Sequence, residues 1–280
     1  YRFKKIFAEV ANTLDQKAFR SLESEFNKLV GKYYSQKNLG SLLEKIDELM
    51  IPASDHSLKL RIYYPIRLEN NTLPALMYFH GGGFVIRDDM NIYDHTCRKL
   101  CHDIQCIIIA VDYRLAPENP FPAAPNDCYT ATCWIADHTD ELHIDPKKIG
   151  IIGESCGGNL AATITMMARD KDGPDLCCQI IVSPMLEYCF DTISYIENGT
   201  GEYILSTDSM LWFWNHYLSK ESDKNHPYFS PLKATNLHNL PKALVVSAEY
   251  DPLRDDGKQY AEKLKDAGII TEYKCFKGLI

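Results

Sequence analysis

The sequence predicts an α/β fold, a mostly parallel central sheet with helices on both faces. Two observations carry that reading. From about residue 58 onward, short apolar runs of strand length alternate with stretches of helical period, the βαβα rhythm of a parallel sheet covered on both sides. The composition is that of an ordinary globular chain, with 280 residues, 45% hydrophobic and 24% charged, which leaves out disordered, collagenous and coiled-coil classes. A chain of this size buries about three quarters of its unfolded surface and needs no covalent staples.

The elements follow in order. Between Phe3 and Tyr34 the residues Ile6, Val10, Leu14, Phe19, Leu22, Phe26 and Leu29 recur at three to five positions, which predicts one or two amphipathic helices. A shorter helix is expected over Leu42 to Leu49. After Pro52 the period becomes two in Leu58, Leu60, Ile62 and Tyr64, a half-buried strand. Ala75 to Phe79 and Cys106 to Val111 read as buried parallel strands. A helix follows Pro122, then the strand Ile149 to Gly153 and a helix from Ser155 to about Arg169. Further strands are expected at Gln179 to Val182, Ala243 to Ala248 and Thr271 to Phe276, with a helix over Lys258 to Ala267 stopped by Gly268. Between Pro184 and Leu232 the rhythm breaks into an insertion. A loop-like stretch with Asn198, Gly199 and Gly201 precedes a helix starting near Thr207, with Ser206 or Thr207 as its N-cap. Its aromatics Trp212, Phe213, Trp214 and Tyr217 cover more than one face, so the helix either packs on the core or roofs a ligand pocket.

Charge and cysteine usage narrow the partners. The net charge of −8 repels a polyanion, so nucleic acid is not an expected partner. The most apolar run, Cys106 to Val111, is far short of the roughly 20 residues of a bilayer span, so no transmembrane segment is expected. The ten cysteines, spread from Cys97 to Cys275, are read as reduced. None has zinc-ligand spacing, and no metal or cofactor is expected. A cytoplasmic location is expected; since the first residue is Tyr1, a removed signal peptide is compatible with it.

Three motifs carry chemistry. Gly153-Glu154-Ser155-Cys156-Gly157 is a G-x-S-x-G between a strand and a helix, the setting in which a sharp turn exposes a nucleophilic hydroxyl. The alternative is a glycine-rich helix start suited to holding an anion. His80-Gly81-Gly82-Gly83-Phe84 follows a strand end, where backbone N–H groups of Gly81, Gly82 or Gly83, together with that of Cys156, can form an oxyanion hole. Each such donor contributes about a hundredfold to a thousandfold. Asp251 ends the strand Ala243 to Ala248 in Glu249-Tyr250-Asp251-Pro252-Leu253, placed to hold a histidine in the correct tautomer, while Asp255 and Asp256 are read as capping the next helix. His80 is read as structural. Cys156 is otherwise a small core residue. The substrate pocket is expected to draw on Phe84, Glu154, Tyr203, Trp212 and Trp214.

These motifs, with Asp112-Tyr113-Arg114-Leu115-Ala116-Pro117-Glu118, Phe121-Pro122-Ala123-Ala124, Tyr228-Phe229-Ser230-Pro231-Leu232 and Ala248 to Asp255, resemble the hormone-sensitive-lipase-like branch of the α/β-hydrolases from about Leu58 onward. That branch includes bacterial carboxylesterases and arylacetamide deacetylases. The resemblance implies an α/β-hydrolase fold with a helical cap, Ser155 as nucleophile, Asp251 as triad acid, and an oxyanion hole from the glycine loop and the Cys156 amide. It also implies the domain layout: residues 1–50 as N-terminal helical cap segment, 51–184 as core, 185–232 as cap insertion, and 233–280 as core cut before its final helix. The substrate would be a small or medium acyl ester, and a homodimer is compatible with this reading. Glu154 and Cys156 depart mildly from the family, which usually has Asp or Thr and Ala there.

The base departs more. All nine histidines (56, 80, 95, 102, 138, 143, 216, 226 and 238) precede Asp251, whereas the family's catalytic histidine follows the last strand in a G-x-x-H-G-F pattern. Gly278-Leu279-Ile280 fills its first three positions, so the histidine is expected as the next residue of a longer chain. Without a base, kcat should fall on the order of a millionfold. The alternatives are a catalytically inactive small-molecule-binding protein, like the related gibberellin receptors, or an amide hydrolase with the same mechanism.

Overall fold

The computed structural model describes residues 43–66, 72–86, 91–203 and 205–280; the helices expected between Phe3 and Tyr34 lie outside them. Among the described residues eight strands form one sheet: β1 (Leu43–Pro52), β2 (Ser57–Pro65), β3 (Leu73–Phe79), β4 (Ile107–Val111), β5 (Ile144–Glu154), β6 (Cys178–Val182), β7 (Lys242–Ala248) and β8 (Thr271–Phe276). Their order is β1-β2-β4-β3-β5-β6-β7-β8. β2 runs antiparallel to both its neighbours, and every pairing from β4 to β8 is parallel.

The helices are α1 (Asn91–Ile104), α2 (Ala123–Asp137), α3 (Thr139–Leu142), α4 (Cys156–Asp170), α5 (Ile193–Asn198), α6 (Thr207–Tyr217) and α7 (Arg254–Asp266). Strand pleating sends alternate side chains to opposite faces. Ala75, Met77 and Phe79 of β3 and Ile107, Ile109 and Val111 of β4 join a large core with Cys128 and Ala131 of α2 and Leu160 and Ile164 of α4. Leu76, Tyr78, Ile108 and Ala110 face a second cluster with Cys97 and Cys101 of α1. Both faces are therefore buried, which explains why these strands read as unbroken apolar runs. Among the described residues no helix is long and apolar enough to cross a membrane. All ten cysteines are free.

One expectation is overturned. Leu43–Pro52 is a strand, not a helix, so residues 43–50 belong to the sheet rather than to a helical cap segment. The stretch is rich in helix formers, but pairing with β2 overrides local propensity. Ile51 lies opposite Leu58, and Glu48 lies opposite Arg61, whose guanidinium it accepts at 2.6 Å. The charged residues sit on an outer strand, where charge is common.

The insertion adds detail the sequence did not show. The stretch read as loop-like contains the short helix α5, capped by Thr192 and ended at Gly199. α6 begins at Thr207 with Ser206 as N-cap, its hydroxyl accepting the Ser209 N–H at 3.1 Å in a capping box. Asp255 and Asp256 do not cap α7. They accept backbone amides from the insertion, Asp255 from Ser194 and Asp256 from Leu186, both at 2.8 Å. These carboxylates therefore anchor the insertion to the core.

Candidate active site

The parallel register brings the three motifs to one edge of the sheet. β3 and β5 are neighbours with Phe79 opposite Gly153, so the His80–Gly83 loop and Ser155 emerge side by side. β7 lies two strands beyond β5, across β6, and delivers Asp251. Functional side chains collect at these carboxyl ends in open α/β sheets.

Ser155 sits between β5 and α4 with φ 54° and ψ −121°, a conformation costly for a residue with a Cβ, of order 1–3 kcal/mol. The turn is possible because nothing projects from Gly157, where a Cβ would lie 2.0 Å from the Phe79 carbonyl oxygen. The Ser155 backbone is tied on both sides. Its N–H donates to Val182 O at 2.9 Å, and its carbonyl accepts Met185 N–H at 3.2 Å. As the first residue of α4, Cys156 has an N–H with no partner inside the helix. Its thiol is buried and pushed up to about 11 by that burial, which keeps it neutral and unreactive at neutral pH.

The glycine loop is held peptide by peptide. The His80 carbonyl accepts the Tyr113 hydroxyl at 2.7 Å, and the Gly81 carbonyl accepts the Tyr93 hydroxyl at 2.9 Å and lies 2.6 Å from His80 Nδ1. The Gly82 carbonyl accepts Ile86 N–H at 2.8 Å. Because each peptide is planar and trans, fixing a carbonyl also fixes the next N–H in the opposite direction. The Glu154 carboxyl accepts the Tyr78 hydroxyl at 3.0 Å. Burial pushes the Glu154 carboxyl up, opposed by the Tyr78 hydroxyl and the Gly81 N–H. His80 itself is sandwiched between Tyr113, with centroids 4.3 Å apart, and Tyr93, at 5.0 Å.

Asp251 is buried, and its Oδ1 accepts Leu253 N–H at 2.9 Å. Burial pushes its carboxyl up, opposed by the Leu253 amide, the Ser183 hydroxyl and Arg254. The loop after β6 thus touches both motifs, Met185 at Ser155 and Ser183 at Asp251. α5 adds Asn198, whose side-chain amide reaches the Asp251 carbonyl at 3.5 Å.

The expected pocket residues separate into two groups. Phe84 and Trp214 are fully buried where α6 joins the core, with Phe84 stacked on Tyr217 at 3.6 Å. Tyr203 stacks on Tyr250 at 5.2 Å, beside the acid loop, and Trp212 packs edge-on against Phe213. Phe213 is the residue sequence reasoning did not assign to the site. Its ring lies over Gly83, where a Cβ would sit 2.3 Å away, so α6 covers the glycine loop directly. The run of four aromatics was the available signal, but spacing does not say which ring meets the loop. Among the described residues no group of three or more His, Cys, Asp or Glu could hold a metal ion.

Residues 76–280 match the family described as alpha/beta hydrolase fold, and the chain belongs to that family. Within it, the chain belongs to the hormone-sensitive-lipase-like branch that includes bacterial-type esterases. It is 37% identical over 263 residues to an arylesterase of Saccharolobus solfataricus, covering 93% of this chain and 83% of that protein. It is also 37% identical over 238 residues to the esterase LipI of Mycobacterium tuberculosis, covering 84% of this chain and 74% of the relative. The solved hyperthermophilic esterase from the archaeon Pyrobaculum calidifontis matches with a TM-score of 0.88 and 37% identity, covering 99% of this chain and 88% of that one.

Proposed function

We propose that this carboxylic ester hydrolase cleaves small to medium acyl esters through a covalent acyl-enzyme on Ser155. The observation that supports the reading is the strained elbow, which sets half-buried Ser155 against the glycine loop, where a Cβ on Gly81 would lie 3.4 Å from the Ser155 Cβ. In the first step Ser155 Oγ attacks the ester carbonyl and passes its proton to a histidine. The carbonyl oxygen becomes an oxyanion facing the N–H groups of Gly82, Gly83 and Cys156. The intermediate collapses, the C–O bond to the alcohol breaks, and the histidine returns the proton to the departing alkoxide. Water, deprotonated by the same histidine, then attacks the acyl-serine and releases the acid.

The histidine is proposed as the residue after Ile280. Three contacts support this: Tyr250 N–H donates to Leu279 O at 2.9 Å, Gly278 N–H to Glu249 Oε2 at 2.8 Å, and Glu249 N–H to Phe276 O at 3.0 Å. They lay Gly278 and Leu279 along Glu249 and Tyr250, so a chain continuing past Ile280 starts next to the loop that carries Asp251. Asp251 then accepts the imidazole Nδ1–H and stabilises the imidazolium.

The test is turnover of a short-chain aryl ester by the chain extended through its natural C-terminus. Activity that disappears in Ser155→Ala and in the substitution of the next residue supports the reading. Equal rates in wild type and Ser155→Ala would contradict it, and faster turnover of the matching anilide would make the enzyme an amide hydrolase instead.

A further inference from the structure

We infer that Glu154 and Tyr93 are positioning residues for the oxyanion hole, clamping the Gly81 residue from opposite sides; the inference rests on Ser155 being the nucleophile. Glu154 lies against Gly81, whose N–H opposes the effect of burial on the carboxyl, and the Tyr93 hydroxyl donates to the Gly81 carbonyl at 2.9 Å. That carbonyl belongs to the same planar unit as the Gly82 N–H, so the Tyr93 bond sets the direction of the first free donor of the loop. The two clamps come from different elements, Glu154 from the end of β5 and Tyr93 from α1. They therefore lock the loop relative to both the nucleophile strand and the helix on the other face.

The loop needs such external clamps because its own conformation is weakly determined. Gly82 and Gly83 have φ values of 118° and 59°, in the region that glycine adopts freely. The Glu154 carboxyl is well placed to serve as a fixed acceptor. It is itself held by Tyr78 at 3.0 Å, and the Gly81 Cα lies so close that a Cβ there would contact the Glu154 side chain and the Ser155 Cβ at 3.4 Å. A change at Glu154 is thus transmitted to the donors, not to the serine alone. Neither side chain needs to touch the substrate, so the transition state should be affected more than ground-state binding.

The experiment measures kcat and KM separately for a short-chain aryl ester with the full natural chain and with Tyr93→Phe, Glu154→Leu, Glu154→Gln and Ser155→Ala, each checked for a wild-type-like thermal transition. The expected result is a fall in kcat of about 10- to 100-fold for Tyr93→Phe and Glu154→Leu with KM within about threefold. Glu154→Gln, which keeps an acceptor oxygen, should recover most of the loss. If Glu154→Leu does not fold, Tyr93→Phe decides, since it removes one hydroxyl and keeps the ring. Wild-type kcat in Tyr93→Phe, or a rise in KM with kcat unchanged, overturns the inference while Ser155→Ala remains inactive. Equal inactivity of wild type and Ser155→Ala would remove the Ser155 reading, and this inference with it.

Discussion

Replacing Gly83 by alanine probes the contact between cap and glycine loop. The new Cβ would lie 2.3 Å from Cδ1 and Cγ of Phe213 and 2.8 Å from Cε1, inside the 3.4 Å at which ordinary contact begins. The backbone at φ 59° adds a penalty of about 1–2 kcal/mol for a residue with a Cβ. Overpacking against a buried ring adds about 1–3 kcal/mol more. The sum, roughly 2–5 kcal/mol, corresponds to a Tm lower by roughly 5–15 °C in a domain of this size. Because the ring cannot retreat without unpacking α6, the loop must move, and a shift of about 1 Å in the donors should lower kcat about a hundredfold. Thermal unfolding by circular dichroism and ester turnover by the full natural chain measure both. Gly83→Ala combined with Phe213→Ala should be less damaging than the two losses added, with a coupling of about 1–3 kcal/mol, so that in the Phe213→Ala background Gly83→Ala costs only its backbone penalty. Strict additivity, or a Gly83→Ala protein that melts and turns over like wild type, would refute the reasoning.

Three further outcomes are expected. Burial holds the Asp256 carboxyl well above its ordinary 3.8, so the folded chain keeps that proton to higher pH than the unfolded chain. Its contribution to stability is full below the unfolded value and is lost as pH rises through the folded one. Asp256→Asn, which keeps an acceptor for Leu186 N–H, should therefore gain stability relative to wild type as pH rises, whereas Asp256→Ala should lose about 1–3 kcal/mol; identical pH slopes in denaturant titrations would count against this. Because the Cys156 thiol is pushed up to about 11 and buried, iodoacetamide at neutral pH should leave turnover intact. Cys156→Ala should keep kcat within about fivefold because the donor is a backbone N–H, and a loss near a hundredfold would show that the sulfur itself takes part. Asp127 is buried and holds Arg114 by Nε at 3.0 Å, Nη2 at 2.9 Å and the backbone N–H at 2.9 Å. Arg114→Ala leaves that carboxylate the backbone N–H of position 114 and His56 Nε2 at 3.3 Å, and should cost about 1–3 kcal/mol in chemical denaturation; no measurable cost would show that the pair is effectively solvated.

Much of this molecule is legible in its sequence because a parallel sheet buried on both faces writes itself as short apolar runs. β3 and β4 fall where those runs do, and the motif residues sit at strand ends, which periodicity locates well. β1 was misread because its backbone bonds come from β2, across a turn, and no local pattern reports them. Asp255 and Asp256 were misread for a related reason. Their partners, Ser194 and Leu186, lie 61 and 70 residues away in sequence. At the site, the glycines and Ser155 were readable from motif chemistry, while the clamps on Gly81 were not. Tyr93 and Glu154 come together at Gly81 only because α1 and the end of β5 converge on that residue.

The most direct test of the account is to trap the acyl-enzyme. The chain carried through its natural C-terminus is mixed with a short-chain aryl ester, quenched in acid within the first turnover and digested with trypsin. The account predicts one acylated peptide, Ile149–Arg169, with the acyl group on Ser155, and neither adduct nor turnover in Ser155→Ala. Acylation at another residue, or full turnover in Ser155→Ala, would contradict it.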